Sequence, residues 1–164
     1  MRQKELLTLE KLRESLRYDA ETGIFTWIKP KANRLKPGDV AGTIRKSTGY
    51  VVISIGYRLY MAHRLAWFYV NGAWPDKFID HIDMDKANNR IENLRAATKS
   101  QNQANTLVRC DSKSGVKCVR FDRKRNKYKA LILGKQIGRF NTVEEATAAY
   151  AKAAANVFGE YHRP

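Results

Sequence analysis

The stretch Phe78–Asn105, FIDHIDMDKANNRIENLRAATKSQNQAN, decides the reading of this chain. Phe78–Ile82 alternates as a short strand. Asp83–Arg90 is a polar loop dense in Asp and Asn, and Ile91–Ala97 is a second extended piece. Thr98 then stands before a helix with Gln101 three residues on, the spacing of a capping box. The pattern is strand, long loop, strand, helix.

Asp80 and His81 are neighbours on the first strand. Side chains alternate faces along a strand, so the two suit different tasks. One can hold a cation while the other reaches a water. Hydrolysis of a phosphodiester needs this division: a hard divalent ion at the phosphate and a base for the attacking water. A histidine with an ordinary pKa near 6.5 is a suitable base at neutral pH. A carboxylate and an amide oxygen suit magnesium, which keeps most of its waters. Asp83 and Asp85 look superficially like a calcium loop. Counting Asp83 as the first position, however, puts Leu94 at the twelfth, where a bidentate Glu is needed.

Residues 63–105, HRLAWFYVNGAWPDKFIDHIDMDKANNRIENLRAATKSQNQAN, resemble phage-type HNH homing endonucleases of the variant with Asn in the last position. The earlier RYDAETGIFTW and the GY…HRLAW region resemble the N-terminal part of such proteins, so the likeness covers about residues 8–105. Its motif is Asp-His on a strand, Asn93 twelve residues after His81, and a helical Asn102 nine further on. The resemblance implies that Asp80 and Asn102 ligate one Mg²⁺ or Mn²⁺ and that His81 is the general base. Asn93 would bond across the loop and fix the histidine-bearing strand, a task for an uncharged donor and acceptor. No cysteine pairs flank the motif, so no structural zinc is expected. Asn88, Asn89 and Arg90 are expected to shape the loop or touch phosphate. His63, at the start of an apolar helix, is expected to be packed and hydrogen-bonded, and His162 carries no signal.

Upstream, Leu6, Leu9, Leu12 and Leu16 predict an amphipathic helix over about 4–18. Strands are expected at Ile24–Ile28, Val40–Ile44, Tyr50–Ile55 and Arg58–Met61, with a basic loop at Lys29–Asp39. A short helix, Ala62–Val70, should stop at Asn71-Gly72. Downstream, 106–113 is expected to be a linker. Strands follow at Val116–Phe121, Lys127–Leu133 and Lys135–Phe140. The helix Val143–Phe158 should open with a Thr142/Glu145 capping box, end at Gly159, and bury Ala146, Ala149, Tyr150, Ala153 and Val157.

Residues 113–164 resemble the plant Apetala-two (ethylene-response-factor) DNA-binding domain, which also occurs attached to phage HNH nucleases. The matching segments are KCVRFDRKRNKYKALI, IGRFNTVEEATAAYAKAA and FGEY. Cys118 replaces the family's usual first-strand Gly, and Phe121 and Tyr128 stand where Trp is usual. A three-stranded sheet can enter a major groove. Its exposed face would carry Lys117, Arg120, Lys129 and Lys135, with Arg123, Lys124 and Arg125 on phosphates.

Composition agrees with a polyanionic partner. The 164 residues carry 31 Lys+Arg against 16 Asp+Glu, a net +15, and 43% are hydrophobic, enough for packed cores. Residues 106–164 hold 13 of the basic and 5 of the acidic groups. Two cysteines suggest no disulfide framework. The charged N-terminus does not read as a secretory signal, and no apolar run approaches the roughly 20 residues of a bilayer span. The expectation is therefore an α+β protein: a nuclease domain over 1–105 with a ββα-metal core at about 78–105, then a small three-stranded sheet packed on one helix at 114–164. It would be a cytoplasmic enzyme of a bacterial host cell, favoured as a monomer, acting on double-stranded DNA without a small-molecule cofactor. The rival readings are a catalytically silent DNA-binding regulator and an RNA-directed nuclease. For the latter, no aromatic stacking motif is visible.

Overall fold

The computed structural model describes residues 7–32, 34–106 and 115–162. It is a mixed α+β chain whose contacts divide into two compact units at Ala96/Ala97. All of the expected 106–113 linker except Thr106 falls outside the described residues.

In the first unit the expected N-terminal helix is shorter than its leucine spacing suggests. Helix α1 covers Leu9–Ser15, capped by Thr8, whose Oγ1 accepts from the Lys11 amide at 3.3 Å. Leu16 is already extended, and Leu16–Tyr18 forms strand β1, antiparallel to β2 (Phe25–Trp27). The strand wins because alternation buries both Leu16 and Tyr18 and leaves Arg17 outside. The expected strand Val40–Ile44 is split. Val40 bridges to Thr26 and Ala41 donates to the Phe25 carbonyl, so β2 takes this part of the chain and only Thr43–Ile44 remains as β3. Strands β4 (Val51–Ile55) and β5 (Arg58–Met61) complete a sheet in the order β3-β4-β5. Helix α2 (Ala62–Asn71) follows at once and stops at left-handed Gly72, as its sequence predicts. Leu12, Leu16, Phe25, Ile53 and Leu65 are the largest fully buried side chains. Each contributes about 1.5–3 kcal/mol by leaving water.

The decisive stretch then folds as β6 (Phe78–His81), a loop, a 3₁₀ turn (Ile91–Asn93) and β7 (Leu94–Ala97), which pairs with β6. The sequence reading made Ile91–Ala97 extended throughout. The turn forms instead because the Asn93 amide bonds back to the Arg90 carbonyl.

Gly23 braces this loop from the β1–β2 turn. It is left-handed (φ 73°), and a Cβ there would overlap the backbone of Asn89 and Arg90. The Tyr18 hydroxyl donates to the Asn89 carbonyl at 2.7 Å beside it. Gly23→Ala should therefore cost at least about 2 kcal/mol, from left-handed strain and the overlap together. Urea denaturation of the variant checks this, and an unchanged midpoint would mean that Gly23 does not abut the loop.

The second unit contains α3 (Lys99–Ala104), which Thr98 and Gln101 cap reciprocally, as expected. Strands β8 (Val119–Asp122), β9 (Lys127–Ile132) and β10 (Lys135–Phe140) form an antiparallel sheet in the order β10-β9-β8. The first strand starts later than expected because Cys118 is left-handed (φ 58°). Helix α4 has the expected bounds, Val143–Phe158, and packs on the sheet. Its cap differs in one bond: Glu145 accepts from the Asn141 amide rather than closing back on Thr142. Its buried residues are Ala146, Tyr150, Ala154 and Phe158. Val157, expected inside, is half exposed, because the contact row runs at steps of four rather than three. Ala104 of α3 is buried in this same core, next to the α4 side chains.

Candidate active site

Strand β6 buries Ile79, Asp80 and His81 in succession. The two polar neighbours have different surroundings. Asp80 Oδ2 receives both Nε and Nη2 of Arg95 at 2.9 Å, from β7. A charge-assisted pair of this kind fixes the carboxylate firmly. Arg95, two residues after Asn93, has no task in the sequence reading.

His81 Nε2 lies 3.4 Å from Asn89 Oδ1. The Asn89 amide is oriented by its own Nδ2, which donates to the Ala87 carbonyl at 2.9 Å, so it is the oxygen that faces the ring. This arrangement makes Nε2 the donor and leaves the lone pair on Nδ1. Burial pulls the His81 pKa below its usual value, against the bond to Asn89 and the charges of Asp83, Asp80 and Asp85. The imidazole is thus neutral at pH 7.

Two rings enclose it. His63, from the first turn of α2, stands edge-on to His81 with centroids 5.0 Å apart, and Tyr50 lies 5.0 Å from His63 and 5.8 Å from His81. Lys86 sits over the outer face of Tyr50 and donates to the Thr48 carbonyl. Burial, then His81 and Arg64, push the His63 pKa down to about 3, so it stays neutral. His63 is packed as expected. Its buried Nδ1, however, has no hydrogen-bond partner among the described residues.

Asn93 holds the loop from within. Its Oδ1 accepts from the Asp83 amide at 3.0 Å, and its Nδ2 donates to Asp83 Oδ1 and the Asn88 carbonyl, both at 2.9 Å. Its backbone carbonyl accepts from Ile82, next to His81. Asp83 also accepts from the Asp85 amide and from Asn88, and Asp85 accepts from the Ala87 amide. These aspartates are spent on turns. Burial would raise the Asp83 pKa, but the bonds from Asn88, Asn93 and the Asp85 amide outweigh it and lower it.

Asp80, His81 and Asn93 are therefore brought together with Asn89, Arg95, His63 and Tyr50, all in the first unit. Asn102 is a half-buried residue of α3, within the second unit. Tyr50 and Arg95 are the participants that sequence reasoning missed. Asn89, expected to shape the loop or touch phosphate, also faces the His81 ring.

In the second unit, Arg120 of β8, Lys129 of β9 and Arg139 of β10 stand in register across the sheet. Arg139 was not anticipated. Asp122 pairs with Lys129 at 3.3 Å, Arg125 at 3.5 Å and Arg139 at 3.6 Å, holding these cations in place. Arg120, Arg123, Lys124 and Lys135 are exposed. Lys117, expected on the open sheet face, lies elsewhere. It precedes the turn at Cys118, is half-buried, and donates to the carbonyls of Ala104 and Thr106 at the end of α3. A cation there completes the helix C-terminus.

Residues 60–104 match the model of a family described as HNH endonuclease. Among curated proteins, an uncharacterized HNH endonuclease of Acanthamoeba polyphaga mimivirus is 35% identical over 100 residues, which is 58% of this chain and 51% of the viral protein. The chain thus spans about half the length of the curated relative it matches. Both matches support a nuclease enzyme. No solved structure matches. Among the described residues, no helix is long and apolar enough to cross a membrane.

Proposed function

We propose that this chain is a metal-dependent DNA endonuclease of the homing type, with residues 78–105 as a ββα-metal core. The observation that carries the reading is the buried, neutral His81 beside the buried Asp80, on a strand end whose loop Asn93 braces. Asp80 and Asn102 are assigned to one divalent ion. Among the described residues no three His, Cys, Asp or Glu side chains converge on a point. A single carboxylate with amide oxygen fits an ion that keeps most of its own waters, Mg²⁺ or Mn²⁺. When bound, that ion stabilises charge on the phosphate and the leaving oxygen.

The chain's own residues do the rest. His81 Nδ1 takes the proton of the attacking water while Nε2 stays on Asn89. Arg95 keeps the Asp80 carboxylate oriented. Asn93 holds the loop closed. The water oxygen bonds to phosphorus, the P–O3′ bond breaks, and the departing 3′ oxygen takes a proton from solvent water, giving a 5′-phosphate and a 3′-hydroxyl. The second unit is assigned, on its Apetala-two likeness, to duplex DNA: Arg120, Lys129 and Lys135 face the groove, with Arg123, Lys124 and Arg125 on phosphates. Lys117 is withdrawn from this set because its ammonium already serves α3.

Supercoiled plasmid with Mg²⁺ tests the reading. Nicked or linear product should form, and chelator should abolish it. Asp80→Ala should lower the rate by at least about a hundredfold, with partial recovery in Mn²⁺. Full activity of wild type in chelator would remove the metal, and no cleavage under any condition would remove the nuclease.

A further inference from the structure

The first unit carries a surface that the proposed chemistry does not use. Strands β4 and β5 are joined by a two-residue turn, Gly56-Tyr57, with both residues left-handed (φ 57° and 62°). Such a turn suits Gly or Asn, and a bulky side chain there is strained. Tyr57 gains no packing in return. It is fully exposed, at 101%, and its ring meets no other ring among the described residues. Strain held without a folding benefit points to a contact outside the chain.

Beside this turn opens a groove of about 560 Å³, lined by Lys29, Lys31, Val40, Tyr57 and Leu59. Val40 and Leu59 are 64% and 68% exposed, so apolar surface lies open next to the tyrosine. Lys29 and Lys31 are exposed and have no ion-pair partner among the described residues. The surrounding segment 29–46 also holds exposed Arg34, Lys36, Arg45 and Lys46 against one acidic residue. That residue, Asp39, is turned onto the Lys36 amide at 2.7 Å.

A purely apolar partner has no use for lysines, and a bare anion has no use for an aromatic tip. A nucleic-acid strand offers both phosphates and base faces within a nucleotide's length. We infer that this groove binds the backbone of the substrate duplex, with Lys29 and Lys31 on phosphates and Tyr57 against a base step. The inference rests on the DNA nuclease reading. It adds a contact surface in the first unit, distinct from the basic sheet of the second.

The test is fluorescence anisotropy with a labelled duplex and full-length protein, in chelator to prevent cleavage, at several salt concentrations. Lys29→Ala/Lys31→Ala should flatten the plot of log K against log salt by up to about 1.8, at roughly 0.9 per phosphate contact. Tyr57→Asn should bind about tenfold more weakly with the slope unchanged. Because Asn accepts left-handed backbone, the same variant should match or exceed wild type in Tm. A loss of affinity without a loss of stability cannot come from a structural role. If wild type binds duplex and both variants keep its affinity and slope, the groove assignment is wrong. Variants that alter sedimentation but not DNA binding would make the groove a contact between copies and would also overturn it. Wild type that shows no salt-dependent binding would instead remove the DNA reading on which the inference rests.

Discussion

Replacing His81 by Ala should lower the cleavage rate by about 10²- to 10⁴-fold, the range that a positioned general base supplies. DNA affinity should stay unchanged, because burial keeps the imidazole neutral and it adds no charge to the proposed interface. The effect therefore falls on the chemical step rather than on binding. Since His81 is 4% exposed and packs against His63 and Tyr50, the Ala variant also leaves a cavity. His81→Gln fills most of that space and should lose as much rate with less loss of Tm. Single-turnover cleavage, together with a thermal melt of both variants, separates the two effects. Wild-type rate in either one would show that His81 is not the base.

Removing everything after Thr106 should do more than weaken DNA binding. Residues 107–164 carry 13 basic and 5 acidic groups, so affinity drops and its salt dependence flattens. On sequence alone, residues 1–105 keep all four motif side chains and a net +7, which predicts residual nicking. The structure changes that expectation. Helix α3 has six residues, too few to persist alone in water. Its Ala104 is buried with Val119, Ala130, Ala146 and Tyr150, and its last carbonyls are held by Lys117. All of these partners are lost on truncation. Helix α3 should unfold and take Asn102, the proposed second ion ligand, with it. Activity should then fall by orders of magnitude even at saturating enzyme. Hydrogen exchange on residues 99–104, in full-length and truncated protein, checks the cause. Protected amides there in the truncated chain would show that α3 stands without the second unit.

Local signals carried much of the fold. The capping box at Thr98, the stop at Gly72 and the bounds of α4 were all legible, since each depends on side chains within a few residues of the backbone they satisfy. The early end of α1 and the splitting of the Val40–Ile44 strand were not. In both places β2 offers pairing from elsewhere in the chain, and the gain from burying Leu16 and Tyr18 exceeds a weak local preference for helix.

The same division runs through the candidate site. The sequence by itself determined the motif Asp80, His81, Asn93 and Asn102, because its spacing along one strand–loop–strand–helix segment survives in the order of residues. It also determined the excess of positive charge. Only tertiary structure decided what surrounds those side chains. Arg95 reaches Asp80 across paired strands, Asn89 meets His81 because Gly23 and Tyr18 brace the loop from a turn and strand distant in sequence, and His63 and Tyr50 enclose the ring from a helix and from the residue before β4. Tertiary structure likewise decided that Lys117 faces a helix end rather than open solvent. Contacts such as these depend on which distant segments are brought close together, and one-dimensional spacing does not record that.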